Sequence, residues 1–407
     1  MTNDDALPGP RRGLGTQAIL LAASTGIAQI ITAFLFILAA RSADPAVFGQ
    51  AVAAIALGTS LVGFVDFGTN GLWVRELARG TIDRGDFSSR FASKIVIAAV
   101  ASGMFTVGAV VLLPEGSYWM AGPVALALLL NQSVQVPLRA MARAELVSFS
   151  VLADRICAAA VMALLYLFGA DPYAVLWLAI CAGSVAAAVM GWILTPKEHR
   201  PRVLTRLSIN PWRGAGYYGL GSVAVGAQTL DLPILAMSGG SVAAGLYGAV
   251  NRWTQPMGLL VSAFASASAP FVARAKTWHE AWGLIKRAIW LPLAALLSCV
   301  LVAIFAPQIV ELLIGSEYEG SAEVLRFLAL GTIPAILNQP LAVFLQSMGH
   351  DKPVAFVTMT SVALQLAFVV FFGAMFGAAG AAIGFGVVQL LNLVSLASIA
   401  WVTAPRK

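Results

Sequence analysis

Three stretches of this 407-residue chain set ionisable side chains inside or beside long apolar runs. Residues 65–80, VDFGTNGLWVRELARG, place Asp66 directly behind such a run and follow it with two glycines, Arg75 and Arg79. Between residues 228 and 255, Gln228, Asp231, Asn251, Arg252 and Gln255 form a polar stripe in otherwise apolar sequence. Asp154 and Arg155 stand side by side in a third apolar segment. A carboxylate close to an arginine in such surroundings can form an ion pair or carry a proton or cation. The arginine can alternatively engage an anionic substrate group.

Other reactive vocabulary is sparse. There is no G-x-x-x-x-G-K-[ST] phosphate loop and no H-E-x-x-H. His199, His279 and His350 lie far apart in polar segments, and Cys157, Cys181 and Cys299 lie inside apolar runs, where packing is their expected role. No cofactor, metal centre or enzymatic activity is expected.

The elements that must carry these groups are membrane helices. Hydrophobic residues make up 59% of the chain and charged residues 11%, against about 25% charged in a soluble domain. Continuous apolar runs of about 20 residues, the length that crosses the hydrocarbon layer, recur without the ten-residue alternation of barrel strands. The expected fold is an all-α membrane protein. Its transmembrane helices, about twelve in number, lie near 17–39, 49–69, 93–113, 119–138, 147–169, 172–194, 214–237, 243–271, 288–306, 324–347, 354–376 and 378–402. The first run follows Arg11 and Arg12 but is too long for a cleaved signal segment, so it is read as retained.

With both termini cytoplasmic, all of the 25 basic residues except Arg41, Arg155, Arg252 and Arg326 fall on the inner side, as the positive-inside rule requires. The outer segments carry acids, with Glu311, Glu317, Glu319 and Glu323 together. Topology thus accounts for the basic surplus, and no nucleic-acid partner is expected.

Depth then sorts the candidates. Asp231 lies about 10 Å below the outer end of the seventh span and Arg252 about 15 Å below that of the eighth, near enough in level to pair. Asp154 and Arg155 lie about 12 Å in from the inner end of the fifth, pointing about 100° apart. Arg155 has two readings, snorkelling or structural pairing on one side and a cavity role on the other. Asp66 reaches only the inner boundary. There it either holds the turn through Thr69 or Asn70 or pairs with Arg75, or it serves coupling or gating. Asn131, Gln132, Gln135, Asn338, Gln339, Gln365, Gln389 and Asn392 add neutral polar groups, singly interhelical glue and together a sign of a wet cavity.

The chain also echoes itself. ILAARSADPAVFGQAVA from Ile37 resembles ILAMSGGSVAAGLYGAVN from Ile234, aligning Phe48-Gly49 with Tyr247-Gly248. FGADPYAVLWLAI from Phe168 weakly resembles FGAMFGAAGAAIG from Phe372. The expected organisation is a six-helix lobe over 1–194, a basic cytoplasmic linker over 195–213 and a second six-helix lobe over 214–407, related as parallel repeats.

Three stretches carry a family resemblance: AARSADPAVFGQAVAAIALGTSLVGFVDFGTNGLWVRELA at 39–78, LDLPILAMSGGSVAAGLYGAVNRW at 230–253 and IVELLIGSEYEGSAEVLRFLALG at 309–331. In this order they resemble the oligosaccharide flippases of polysaccharide biosynthesis, in the multidrug/oligosaccharidyl-lipid/polysaccharide exporter superfamily. The resemblance implies a MATE-like V of two lobes that alternates access. It implies a multi-pass protein of the bacterial inner membrane carrying an undecaprenyl-pyrophosphate-linked oligosaccharide to the periplasmic leaflet. Partners would be that lipid-linked oligosaccharide, membrane lipids, and the polysaccharide polymerase and glycosyltransferases. The family's cationic cavity residues engage pyrophosphate or acidic sugars, a role that falls by chemistry on Arg252 and Arg155 with Asn251, Gln255 and Gln228 beside them. Asp231 and Asp154 would serve ion coupling or charge pairing, and Asp66, Arg75 and Arg79 a cytoplasmic gate or hinge.

The main alternative is a multidrug and toxin extrusion antiporter of the same fold, which would need acidic cavity residues. A major facilitator is a weaker alternative because GTNGLWVRELARGTIDRGDF does not match its basic loop. A polymerase or ligase would need a large outer loop, and the longest here, about 307–323, is short.

Overall fold

The computed structural model describes residues 14–114, 116–202, 206–208, 210–252, 290–347 and 350–403. Among them the regular elements are helical and no strand occurs. The chain opens with α1 (Leu14–Arg41), α2 (Pro45–Asp66), α3 (Thr69–Arg79) and α4 (Arg84–Leu112). It continues through α5 (Ala121–Val134), α6 (Val136–Ala140), α7 (Ala144–Leu167) and α8 (Pro172–Leu194). Beyond the basic segment come α9 (Gly216–Gln228), α10 (Asp231–Ser238), α11 (Ser241–Asn251), α12 (Trp290–Ile304), α13 (Ala306–Leu313), α14 (Gly320–Ser347) and α15 (Asp351–Thr403).

Eight helices are long and apolar enough to cross a membrane, or up to ten if the bent pairs α9/α10 and α12/α13 each form one span. The pairs bend by 42° and 75°. Helix α15 covers the two expected spans 354–376 and 378–402. It is interrupted between them at Gly377, whose φ of 59° and ψ of −139° suit a residue without a Cβ.

The surface is that of a protein solvated by lipid. On α4, Val96, Val100, Met104, Val107 and Val111 recur at helical spacing and are 46% to 71% exposed. A continuous apolar stripe of this kind would drive association in water.

The connection between the second and third expected spans is itself helical. The segment after the second span forms α3, because Leu72 and Trp73 bury one face while Arg75 and Arg79 stay exposed on the other. Gly80, at φ 64°, ends it in the left-handed conformation. Helix α4 also begins earlier than the expected span, at Arg84, where the Asp83 side chain caps the amide of Asp86.

The described chain forms two compact units, one of Met1–Ser42 with Gln50–Leu230 and one of Ala43–Gly49 with Asp231–Lys407. In the first, Trp73, Phe87, Phe91, Val134 and Val136 form a core. Helices α2 and α9 join face to face: a Cβ on Gly63 would stand 2.7 Å from the Gly226 Cα, so only glycine fits. Ser60 donates to the Gly226 carbonyl at 2.7 Å and Ser222 to the Gly63 carbonyl at 2.9 Å, locking the contact. The segment after α8 is tied to α4 by hydrogen bonds between Ser88, Ser89 and Ser93 and the backbone of Arg202, Arg206 and Ser208. In the second unit, residues 45–49 lie against α11, where a Cβ on Gly49 would meet the Ser241 carbonyl at 1.9 Å. Helices α14 and α15 approach through Gly331 and Gly386.

Candidate functional site

In the second unit, Asp231 opens α10 where the chain restarts after its break. The positive end of the helix dipole favours a carboxylate there. Its Oδ1 accepts from the Leu232 amide at 2.7 Å, and its Oδ2 from the Tyr247 hydroxyl at 3.2 Å. Asn251, one helical turn beyond Tyr247 on α11, also hydrogen-bonds the carboxylate, and the charge of Arg252 acts on it. Tyr247 is 1% exposed and Asp231 8%, so the cluster is closed at its acidic end, while Asn251 and Arg252 are only half-buried. The hairpin therefore brings together Asp231, Asn251 and Arg252 of the expected stripe. Gln228 is exposed at the end of α9, and Gln255 lies outside the described residues.

The first unit holds a second cluster. Asn131, Gln135 and Arg139 follow one another at four-residue spacing, so their side chains share a face. Arg139 donates to Gln135 at 3.2 Å, Gln135 to Asn131 at 2.6 Å, and Asn131 to Asp154 Oδ2 at 3.0 Å. Arg155 stands 3.6 Å from the same oxygen. The two backbone directions diverge as adjacent helical positions must, and the long guanidinium folds back across the turn to make the structural pairing that is one of the two readings of Arg155. Asp154 is 4% exposed, and its Oδ1 has no hydrogen-bond partner among the described residues. Gly183 on α8 makes room for it, since a Cβ there would lie 2.7 Å from that oxygen.

The third cluster surrounds Asp66. Phe67 and Gly68, at φ 45° and 70°, turn the chain between α2 and α3. Asp66 Oδ1 holds that turn by accepting from the Thr69 hydroxyl at 3.0 Å and the Asn70 amide at 3.2 Å. Its ionic partner is Lys94, at 2.9 Å, and not Arg75. Charge distribution places Lys94 among the inner-side basic residues, yet it is fully buried. Its three ammonium donors meet Asp66, Thr69 and Asn70, and its charge lies 4.3 Å from the centre of the Trp73 ring. Arg75 instead donates to the Tyr218 hydroxyl at 3.1 Å, which holds its guanidinium above the usual pKa, and Arg79 is exposed in the last turn of α3.

The neutral groups pair as well. Asn338 on α14 donates to the carbonyl of Gln389 at 2.9 Å and to its side-chain oxygen at 3.0 Å.

A family model described as Polysaccharide biosynthesis protein matches residues 14–276, and the MatE model matches 220–372. No curated protein matches the chain by sequence. Among solved structures, the inward-facing form of a multidrug resistance MATE family transporter of the MOP superfamily aligns with a TM-score of 0.67 at 15% identity. It covers 95% of this chain and 100% of its own. The lipid II flippase MurJ in an inward closed conformation gives 0.67 at 13% identity, covering 95% and 88%. A MOP superfamily transporter from Pyrococcus furiosus, described as having a binding pocket of reversed polarity, gives 0.56 at 15%, covering 95% and 94%. These likenesses establish the transporter fold.

Proposed function

The chain belongs to the polysaccharide biosynthesis protein family, and from that membership we propose that it is a flippase for an undecaprenyl-pyrophosphate-linked oligosaccharide in the bacterial inner membrane. The observation that carries the reading is the Asp231–Tyr247–Asn251–Arg252 cluster, a cation and its orienting groups set into an otherwise apolar helix hairpin. Moving a pyrophosphate with its sugars bare through hydrocarbon would cost many kcal/mol. A polar path with positive charge lowers that barrier while the prenyl tail stays in lipid. Arg252 engages the anionic headgroup, with Arg155 as a second cationic contact. Tyr247 and Asp231 hold the end of α11 in register.

The coupling groups in this reading are Asp154 and Asp231. The Oδ1 of Asp154 supports it, because it meets no donor among the described residues and a buried carboxylate oxygen so placed is a natural proton or cation acceptor. The moving bodies are the two six-helix lobes, 1–194 and 214–407, joined by the linker, and Asp66, Arg75 and Arg79 lie at the cytoplasmic hinge.

Arg252→Ala should abolish surface-polysaccharide export in cells while the protein inserts at normal abundance; unchanged polymer would overturn the assignment. The MatE match over 220–372 favours a second reading, a cation antiporter of the same fold. That protein would change drug susceptibility on deletion and leave surface polymer intact.

A further inference from the structure

A cavity of about 700 Å³ opens where the first turn of α4 meets the segment leaving α8. Its walls carry Arg84, Lys197, Arg200 and Arg202 against a single carboxylate, Glu198. The nearby acids are engaged elsewhere: Asp86 pairs with Arg90 at 2.7 Å and Asp83 caps α4. Arg200 is partly committed to structure. It donates to the carbonyls of Thr195 and Ile193 at 2.8 Å, closing the end of α8, and its guanidinium stacks 4.5 Å from the Trp192 ring. Among the described residues, the side chains of Arg84, Lys197 and Arg202 form no ion pair. The wall is nevertheless built, because the Arg202 amide is held by Ser88 at 3.1 Å.

The cavity also borders lipid. Trp192 lines it at 41% exposure, and Val185, Val189 and Ile193 continue along α8 as an exposed apolar stripe. A basic hollow beside an interfacial tryptophan, at the foot of a lipid-facing stripe, fits a ligand with an anionic head and an acyl tail.

We propose that this cavity binds the phosphate group of an anionic membrane phospholipid, with Arg84, Lys197 and Arg202 around the phosphate and the acyl chains along Trp192 and Ile193. The site is separate from the Arg252 cluster and stands whether or not the transport reading holds. Bound there, the lipid would fasten the segment after α8 to α4.

The test is lipid binding by the purified full chain, followed by native mass spectrometry with phosphatidylglycerol, phosphatidylcholine or inorganic phosphate. Wild-type protein should prefer phosphatidylglycerol to phosphatidylcholine by about tenfold. The triple variant Arg84→Gln, Lys197→Gln, Arg202→Gln should lose that preference. Arg206→Gln, Arg213→Gln, Lys352→Gln, which removes three exposed cations that do not line the cavity, should keep it. The single exposed change Lys197→Glu gives a second reading should the triple variant fold poorly, with a weaker preference expected. Equal loss in both triple variants, or no preference in the wild type, overturns the site. If inorganic phosphate binds with the same dependence and phosphatidylglycerol has no advantage over it, a lipid source is overturned.

Discussion

The ammonium of Lys94 is fully buried, a position that costs several kcal/mol unless every donor is met. Asp66, Thr69 and Asn70 meet all three. Removing one partner strands the other charge, so Lys94→Met and Asp66→Asn should each lower stability by about 3–5 kcal/mol. The double variant, with neither charge left, should fall well short of their sum. Thermal unfolding of the purified protein in detergent measures this, and strict additivity would mean that the pair is not coupled. Half of this site is readable in the sequence: Asp66 next to Thr69 and Asn70 is a turn-holding pattern. Lys94 is not, because the apolar run starts beside it and leaves it looking like a boundary residue. Phe87, Phe91, Lys94 and Ala98 in fact share the buried face of a helix that begins at Arg84. At Asp154, spacing alone gives the direction of each Cβ but not the reach of Arg155.

The helices are held together largely by small residues, as expected where lipid removes the hydrophobic drive between them. Contact through backbone makes each such glycine a one-way constraint. Gly49→Ala would drive a Cβ to 1.9 Å from the Ser241 carbonyl, and Gly226→Ala would bring one to 2.9 Å from the Ser60 carbonyl and 3.1 Å from the Gly63 Cα. Both should destabilise by about 1–3 kcal/mol through overpacking. Gly26→Ala and Gly103→Ala, with nothing within 4 Å, should be neutral or slightly stabilising in the same melting assay. If all four behave alike, helix contact is not the reason for the glycines. The long spans are readable because hydrocarbon demands unbroken apolar runs. The breaks are not. The bend between α9 and α10 falls at Thr229–Leu230, and the one between α12 and α13 at Phe305, inside sequence that reads as continuous or as loop. Side chains and neighbouring helices satisfy the freed backbone there, leaving little trace in composition.

At the scale of the whole molecule, the two glycine contacts on α2 constrain any transport cycle. One lies near its start, where residues 45–49 meet α11, and the other near its end, where Gly63 meets α9. In the six-plus-six reading, each contact joins a helix of the first lobe to one of the second. A cycle that alternates access between those lobes must therefore break either contact while keeping the other. The compact units offer a different boundary, since α9 groups with residues 50–66 of α2 and the chain crosses over at Leu230–Asp231. The two possibilities separate in one experiment. With Cys157, Cys181 and Cys299 replaced, Ser60→Cys and Ser222→Cys place thiols on the facing surfaces of α2 and α9 without disturbing either glycine. Joining them with a short, reducible bifunctional thiol reagent should stop export in the six-plus-six reading, and reduction should restore it. The single-cysteine controls should export throughout. Full export by the cross-linked protein would mean that α2 and α9 travel as one body, with the hinge at the α9/α10 bend rather than in the linker.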